Sequence, residues 1–227
     1  MVPAFLSELR RPWLWKGWAL GIILVLGFIA LLLLAACLED GVSLAGLQGP
    51  LLEAALTLTL TGSAVVGSFA FTADYRTGGF RRRVLLFQRC PAFLARAIAT
   101  TLTGFLSGLF MGLIFGLAVQ VLDEEWHVRP PTILAFAGLA WMGAGWGFLS
   151  GSLIRNHLVS LFAVPLSLLL PGMLMGPQLQ YFPVLASDWA NQTAVNIPAL
   201  GSFMGAVGWL LVITAVAFGA FLKRDLA

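Results

Sequence analysis

Residues 74 to 97, DYRTGGFRRRVLLFQRCPAFLARA, hold six of the chain's thirteen basic residues, at Arg76, Arg81, Arg82, Arg83, Arg89 and Arg96. Guanidinium groups bind phosphate or carboxylate, often through two parallel hydrogen bonds. The expected chemistry of this stretch is therefore contact of its arginines with anionic headgroups, or docking of its apolar face in a partner's groove. The types and spacing needed for other chemistry are missing. Two cysteines, Cys37 and Cys90, and two histidines make no metal-ligand cluster. The only lysines are Lys16 and Lys223, and no GxxxxGK run followed by Ser or Thr occurs. The chain itself lacks the loop that cradles nucleotide phosphates.

Serine chemistry has one opening. GFLSG occurs at 104–108 and again at 147–151, which sets Ser107 and Ser150 between glycines. A serine nucleophile needs a base within hydrogen-bond reach. His127 falls in a loop and His157 at a turn, neither at a matching depth. An intramembrane serine protease is the weaker alternative, and a membrane scaffold without transport is another.

The elements that must position these residues follow from composition. Of 227 residues, 59% are hydrophobic and 10% charged, with a mean hydropathy of +0.94. A soluble domain carries about 25% charged residues. The chain reads as an integral membrane protein. Its net charge of +3 and pI near 9.3 do not indicate nucleic acid, because the basic residues sit at the ends of apolar runs.

A crossing needs roughly 20 apolar residues. Six such runs lie near Trp18–Leu38, Leu51–Thr72, Ile98–Leu122, Ile133–Leu153, Leu158–Gly176 and Gly201–Leu222. No alternating barrel pattern is visible, so the expected fold is all-α. Arg10, Arg11, Lys16, the six loop arginines, Arg155, Lys223 and Arg224 all fall on one side, and only Arg129 on the other. Basic loops stay in the cytoplasm. Both termini and the 73–97 loop are therefore expected there, in the cytoplasmic membrane of a bacterium. One transmembrane domain, 1–227, is expected. It contains an interfacial helix over 1–17, the loop over 73–97 and an outer segment over 177–200.

Gly104, Gly108, Gly112 and Gly116 recur every four residues in the third run, and Gly143, Gly147 and Gly151 in the fourth. Such stripes let helices approach closely. They predict close helix packing along each stripe, either static or as a sliding helix pair. Thr57, Thr61 and Ser107 are candidates for a polar path, although Ser and Thr more often bond back to their own helix. The spans lack charged residues near their centres, where ion-driven carriers place them. Pro165 and Pro171 are expected to kink the fifth span. The following segment, with Tyr181, Phe182 and Trp189, is either an ordinary loop or a pair of short re-entrant helices forming an outer gate. Its aromatics suit an interfacial belt.

Within the basic loop, Phe80, Val84 and Phe87 share one helix face, and Pro91 suits the first turn of a new helix. The loop predicts a short amphipathic helix, a break and a second helix. It either lies on the anionic inner leaflet or inserts an apolar face into a partner's groove. The N-terminal FLSELRRPWLWKGW reads as an interfacial helix against lipid.

DYRTGG followed by RRRVLLFQRCPAFLARAIA resembles the signature of ABC-2 type permeases. Asp74, Tyr75 and Gly78 match the acidic, aromatic and glycine residues that close the second span of that family. Pro91 and Arg96 match its second part. Asp74 and Gly79 stand where the family often has Glu and Thr. The resemblance implies that Asp74, Tyr75, Gly78, Phe80, Arg81, Arg82, Arg83, Phe87 and Pro91 meet a separate ATPase subunit. ATP and Mg would be bound in that partner and no cofactor in this chain. It further implies a second permease copy or homologue, and export of a drug, antimicrobial peptide or lipid-like molecule. Lipid, glycan or haem-related cargo is the alternative.

Overall fold

The computed structural model describes residues 2–38, 44–122, 129–175, 182–192 and 200–223. Among them there are helices and no strands. In chain order these are α1 Val2–Leu9, α2 Pro12–Leu38, α3 Leu44–Arg76, α4 Gly79–Phe87, α5 Arg89–Leu122, α6 Pro130–Ile154, α7 His157–Ser167, α8 Leu170–Met175, α9 Phe182–Gln192 and α10 Leu200–Lys223. Among the described residues, four helical runs are long and apolar enough to cross a membrane: Gln48–Arg76, Arg89–Val121, Pro130–Ile154 and Gly201–Lys223. They coincide with the second, third, fourth and sixth expected spans. The first falls on α2, a 27-residue helix whose shorter apolar run is Trp15–Leu31.

Prolines set two of the helix breaks. Pro12 opens α2 at the position where its missing N–H costs nothing. It also disfavours a helical Arg11. The expected 1–17 interfacial helix is consequently two pieces, with α1 ending at Leu9. The fifth expected span is likewise not one helix. Pro171 has no N–H for the Ser167 carbonyl, and its ring would clash there. The chain tightens instead: the Leu168 and Leu169 amides donate to the Pro165 and Leu166 carbonyls at 3.2 and 3.0 Å. α7 ends and α8 begins on the far side of that turn.

The core is organised around α6, of whose 25 residues 17 are buried. On one side it meets α5, antiparallel. A Cβ on Gly104 would sit 2.6 Å from the Ala144 Cβ, one on Gly108 2.7 Å from the Ala137 Cα, and one on Gly112 3.1 Å from the Ile133 Cα. Gly116, one turn on, is partly buried. The second stripe does something else. Gly143, Gly147 and Gly151 face α3, where they meet Leu60 and Ser63, then Ala64, then Ser68 in parallel order. The close approach expected along each stripe is present, with a different partner for each. Each glycine run on α5 and α6 opens a different interface, because α6 lies between two neighbours. Gly67 of α3 completes the sandwich, with the Ala144 Cα 2.9 Å from where its Cβ would be.

α9 is a wedge. Phe182, Leu185, Ala186, Trp189 and Ala190 are buried in the main core. Phe182 packs edge-on against Trp146 at 5.0 Å, about two-thirds of the way along α6. Trp189 lies against Gly138, about one-third of the way along. α9 therefore enters the middle of the bundle and runs back beside α6. Phe182 and Trp189 are core residues, not members of an interfacial belt. Tyr181 lies outside the described residues.

Candidate functional site

The 73–97 stretch folds as a crossbar on one end of the bundle, here termed the basic end. α3 closes at Arg76. Gly78, at φ 69°, reverses the chain in the left-handed region that glycine adopts without penalty. α4 follows for nine residues. Gln88 then turns the chain again with φ 69° and ψ 166°, a region costly for any residue with a Cβ. Its amide still donates to the Val84 carbonyl at 2.9 Å. α5 begins at Arg89, with Pro91 in its first turn.

Side chains fix the crossbar from beneath. Val84 packs against a cluster of Phe71, Phe93, Phe148 and Phe221, contributed by α3, α5, α6 and α10. Phe93 and Phe148 are 5.2 Å apart, and Phe71 meets Phe148 edge-on at 5.6 Å. Arg89 Nη1 donates to the Leu222 carbonyl at 2.9 Å, tying the start of α5 to the end of α10.

A buried charge network holds the other flank. Glu8 of α1 and Arg96 of α5 are each 3% exposed. One carboxylate oxygen of Glu8 pairs with Arg83 and the other with Arg96. Arg11 lies 3.9 Å from the latter oxygen. Arg11 also pairs with Asp74, whose Oδ2 is 3.5 Å from Arg96 Nη2. Arg96 further donates to the Ala70 carbonyl at 3.1 and 2.7 Å through Nε and Nη2. Three guanidinium groups face two carboxylates, so the network holds one surplus positive charge. Burial, and then the charge of Arg96, lower the Arg83 guanidinium to about 10, which leaves it charged at neutral pH. The network joins α1, the α1–α2 break, α3, α4 and α5.

A second polar contact secures the next turn. The Arg155 guanidinium lies 5.0 Å over the Tyr75 ring, and its Nη1 donates to the Tyr75 hydroxyl at 3.3 Å. Asn156 caps α7 by accepting from the Leu158 and Val159 amides at 3.0 and 3.2 Å. His157 Nδ1 lies 3.0 Å from Thr72 Oγ1. The Thr72 hydroxyl donates to the Ser68 carbonyl. His157 serves the turn and meets neither Ser107 nor Ser150.

The residues expected to meet a partner are thus divided. Asp74, Tyr75 and Arg83 are engaged within the protein, and Gly78 and Pro91 shape the turns. Arg82 is exposed and Phe87 partly buried. Phe80 and Arg81 lie in α4, with their side chains outside the described set. Glu8 was not singled out from the sequence, since an acid in a basic flank announces no partner. Leu85 and Leu86, exposed apolar side chains of α4, carry no such signal in the sequence either. Of the candidate polar path, Thr61 donates back to the Thr57 carbonyl at 2.9 Å, and Ser107 is buried.

The chain matches no family model and no curated protein sequence.

Proposed function

We propose that this chain is the membrane-spanning permease subunit of an ATP-driven exporter of the ABC-2 type, docking a separate ATPase through the crossbar α4. The observation that carries this reading is mechanical. α4 is bracketed by two reversals at Gly78 and Gln88, pinned from below by Val84 and from the side by Arg83. A push on such an element passes into α1, α3 and α5 together, and interfaces packed this closely move as units. The resemblance in DYRTGG and its basic continuation supports the same role. In this reading ATP and Mg are bound by the partner, which agrees with the lack of a GxxxxGK run followed by Ser or Thr in this chain.

In this reading α2 and the α7–α8 pair cross the bilayer alongside the four long helices, giving six spans. The basic end faces the cytoplasm by the distribution of Lys and Arg. α9 forms part of the outer gate. A second copy or homologue completes a translocation path for a hydrophobic or amphipathic molecule.

The test is purification of the tagged chain from its native membrane in mild detergent. An ATPase subunit near 1:1, with ATP hydrolysis in the eluate, is the expected result. A purified chain without ATP hydrolysis at any mild extraction condition sinks the reading.

A further inference from the structure

A fissure of about 230 Å³ runs beneath α2 where that helix lies against α3 and α5. Ile22 and Val66, partly exposed, stand at its mouth. Val25, Met111 and Ala140, all buried, form its floor. The walls are close, since a Cβ on Gly21 would sit 2.6 Å from a Val66 methyl and one on Gly62 2.7 Å from a Val25 methyl. From Trp18 to Val25 the fissure follows seven residues of helix, about 10 Å.

Its polar inventory is short. The Ser63 hydroxyl is spent on its own helix, donating to the Thr59 and Leu60 carbonyls at 2.6 and 2.9 Å. The Trp18 indole is 4% exposed, and its buried N–H meets no acceptor. Tryptophan near a membrane boundary ordinarily points its N–H at the headgroups. Trp18 instead turns its ring inward, with Cη2 3.1 Å from where a Gly104 Cβ would be. An acceptor for that N–H therefore has to enter the protein.

The lining says what carries the acceptor. A water needs roughly two to four polar partners, and here one donor stands among apolar side chains. A drug-sized ring system takes a wider pocket of about 300 Å³ or more. A narrow apolar slot that starts at one donor and continues for about 10 Å fits a single hydrocarbon chain headed by a carbonyl. The depth agrees as well. Arg10 and Lys16, both exposed, mark the headgroup level of the basic end, and Trp18 lies two residues, about 3 Å, beyond Lys16 along α2. Acyl ester carbonyls lie just below lipid headgroups, and their chains run on towards the bilayer centre as the fissure does.

We infer that the fissure is a lipid-binding site. An acyl chain from the leaflet at the basic end lies between α2 and α3. Its ester carbonyl accepts from Trp18 Nε1, and its methylenes lie against Val25, Val66 and Met111. Such a site requires no ATPase partner and no transport.

The test reconstitutes the full-length chain in phosphatidylcholine vesicles with a trace of phosphatidylcholine that carries a diazirine on one acyl chain. After irradiation, mass spectrometry of the digested chain locates the adducts. Labelling is expected at Val25 and Met111, which are buried, as well as at the exposed Leu211. An ether-linked analogue lacks the carbonyl. It should label Met111 about threefold less, the scale of one neutral hydrogen bond, with Leu211 unchanged. Trp18→Phe should lose the same share with the ester lipid. Ile22→Trp, which closes the mouth, should abolish labelling at Met111 and leave Leu211 as it was. Labelling confined to exposed positions such as Leu211 overturns the site. Equal labelling of Met111 by the ester and ether lipids overturns the assignment of the carbonyl to Trp18. That comparison uses the wild-type chain, so it decides the matter even where a variant fails to fold.

Discussion

Glu8 and Arg96 stand 88 residues apart in sequence and meet as a buried ion pair beneath the crossbar. Each is almost wholly removed from solvent. A buried pair gains little over a well-packed apolar replacement, because desolvation offsets the attraction. Breaking one is different, since the remaining charge is stranded. Glu8→Ala leaves Arg83 and Arg96 facing each other without a carboxylate between them. The change should destabilise by about 3–5 kcal/mol. The shift in the detergent-unfolding midpoint measures it, with a change below the scatter of wild-type repeats counting against the pair.

Gln88→Gly should act in the opposite sense. The residue occupies a backbone region that glycine enters freely and glutamine does not. Removing the side chain should stabilise the chain by about 1 kcal/mol. Gln88→Val should lower the same midpoint, because a β-branched side chain worsens the crowding.

The two glycine interfaces predict a contrast of position. At Gly147 a Cβ would land on the Ala64 backbone of α3, whereas at Gly208 nothing lies within 4 Å. Gly147→Ala should cost about 1–3 kcal/mol through forced separation of α3 and α6. Gly208→Ala should be neutral or gain up to about 1 kcal/mol from helix propensity. Parallel thermal melts of the two proteins decide it, and equal behaviour would refute the close approach.

Phe182 tests the wedge. It is fully buried against Trp146. Phe182→Ala should cost about 3–5 kcal/mol, as deletion of a core phenylalanine does. A lipid-facing aromatic would tolerate the same change with little loss of melting temperature.

Much of the frame was legible in the residues. Pro165 and Pro171 signal a kink in the fifth span, which the fold makes a full break ahead of Pro171, and Pro91 signals the start of a helix after the basic loop. The spacing of Val84 marks an apolar helix face expected against the leaflet or a partner's groove, whereas in the fold Val84 packs into the aromatic cluster of the bundle. Other features depend on chain partners that spacing does not name. Gly143, Gly147 and Gly151 announced a close neighbour but not that it is α3. α9 is an 11-residue helix, too short for any span signal, and its Phe182 and Trp189 carry the composition of an interfacial belt. Glu8 reads as one acid among arginines until the fold brings Arg83 and Arg96 to it. Leu85 and Leu86 escaped notice because α4 has more apolar residues than one helical face holds. Only the packing reveals which of them lack a neighbour.

The distance along the chain between Glu8 and its partners orders the birth of the protein. α1 leaves the ribosome long before Arg83 and Arg96 are translated. Its carboxylate lacks these partners until α4 and α5 have been made and the reversal at Gly78 has brought them back beside α3. Only then does α1 fasten onto them. The α1 helix, synthesised ahead of its partners, is a late clasp in assembly.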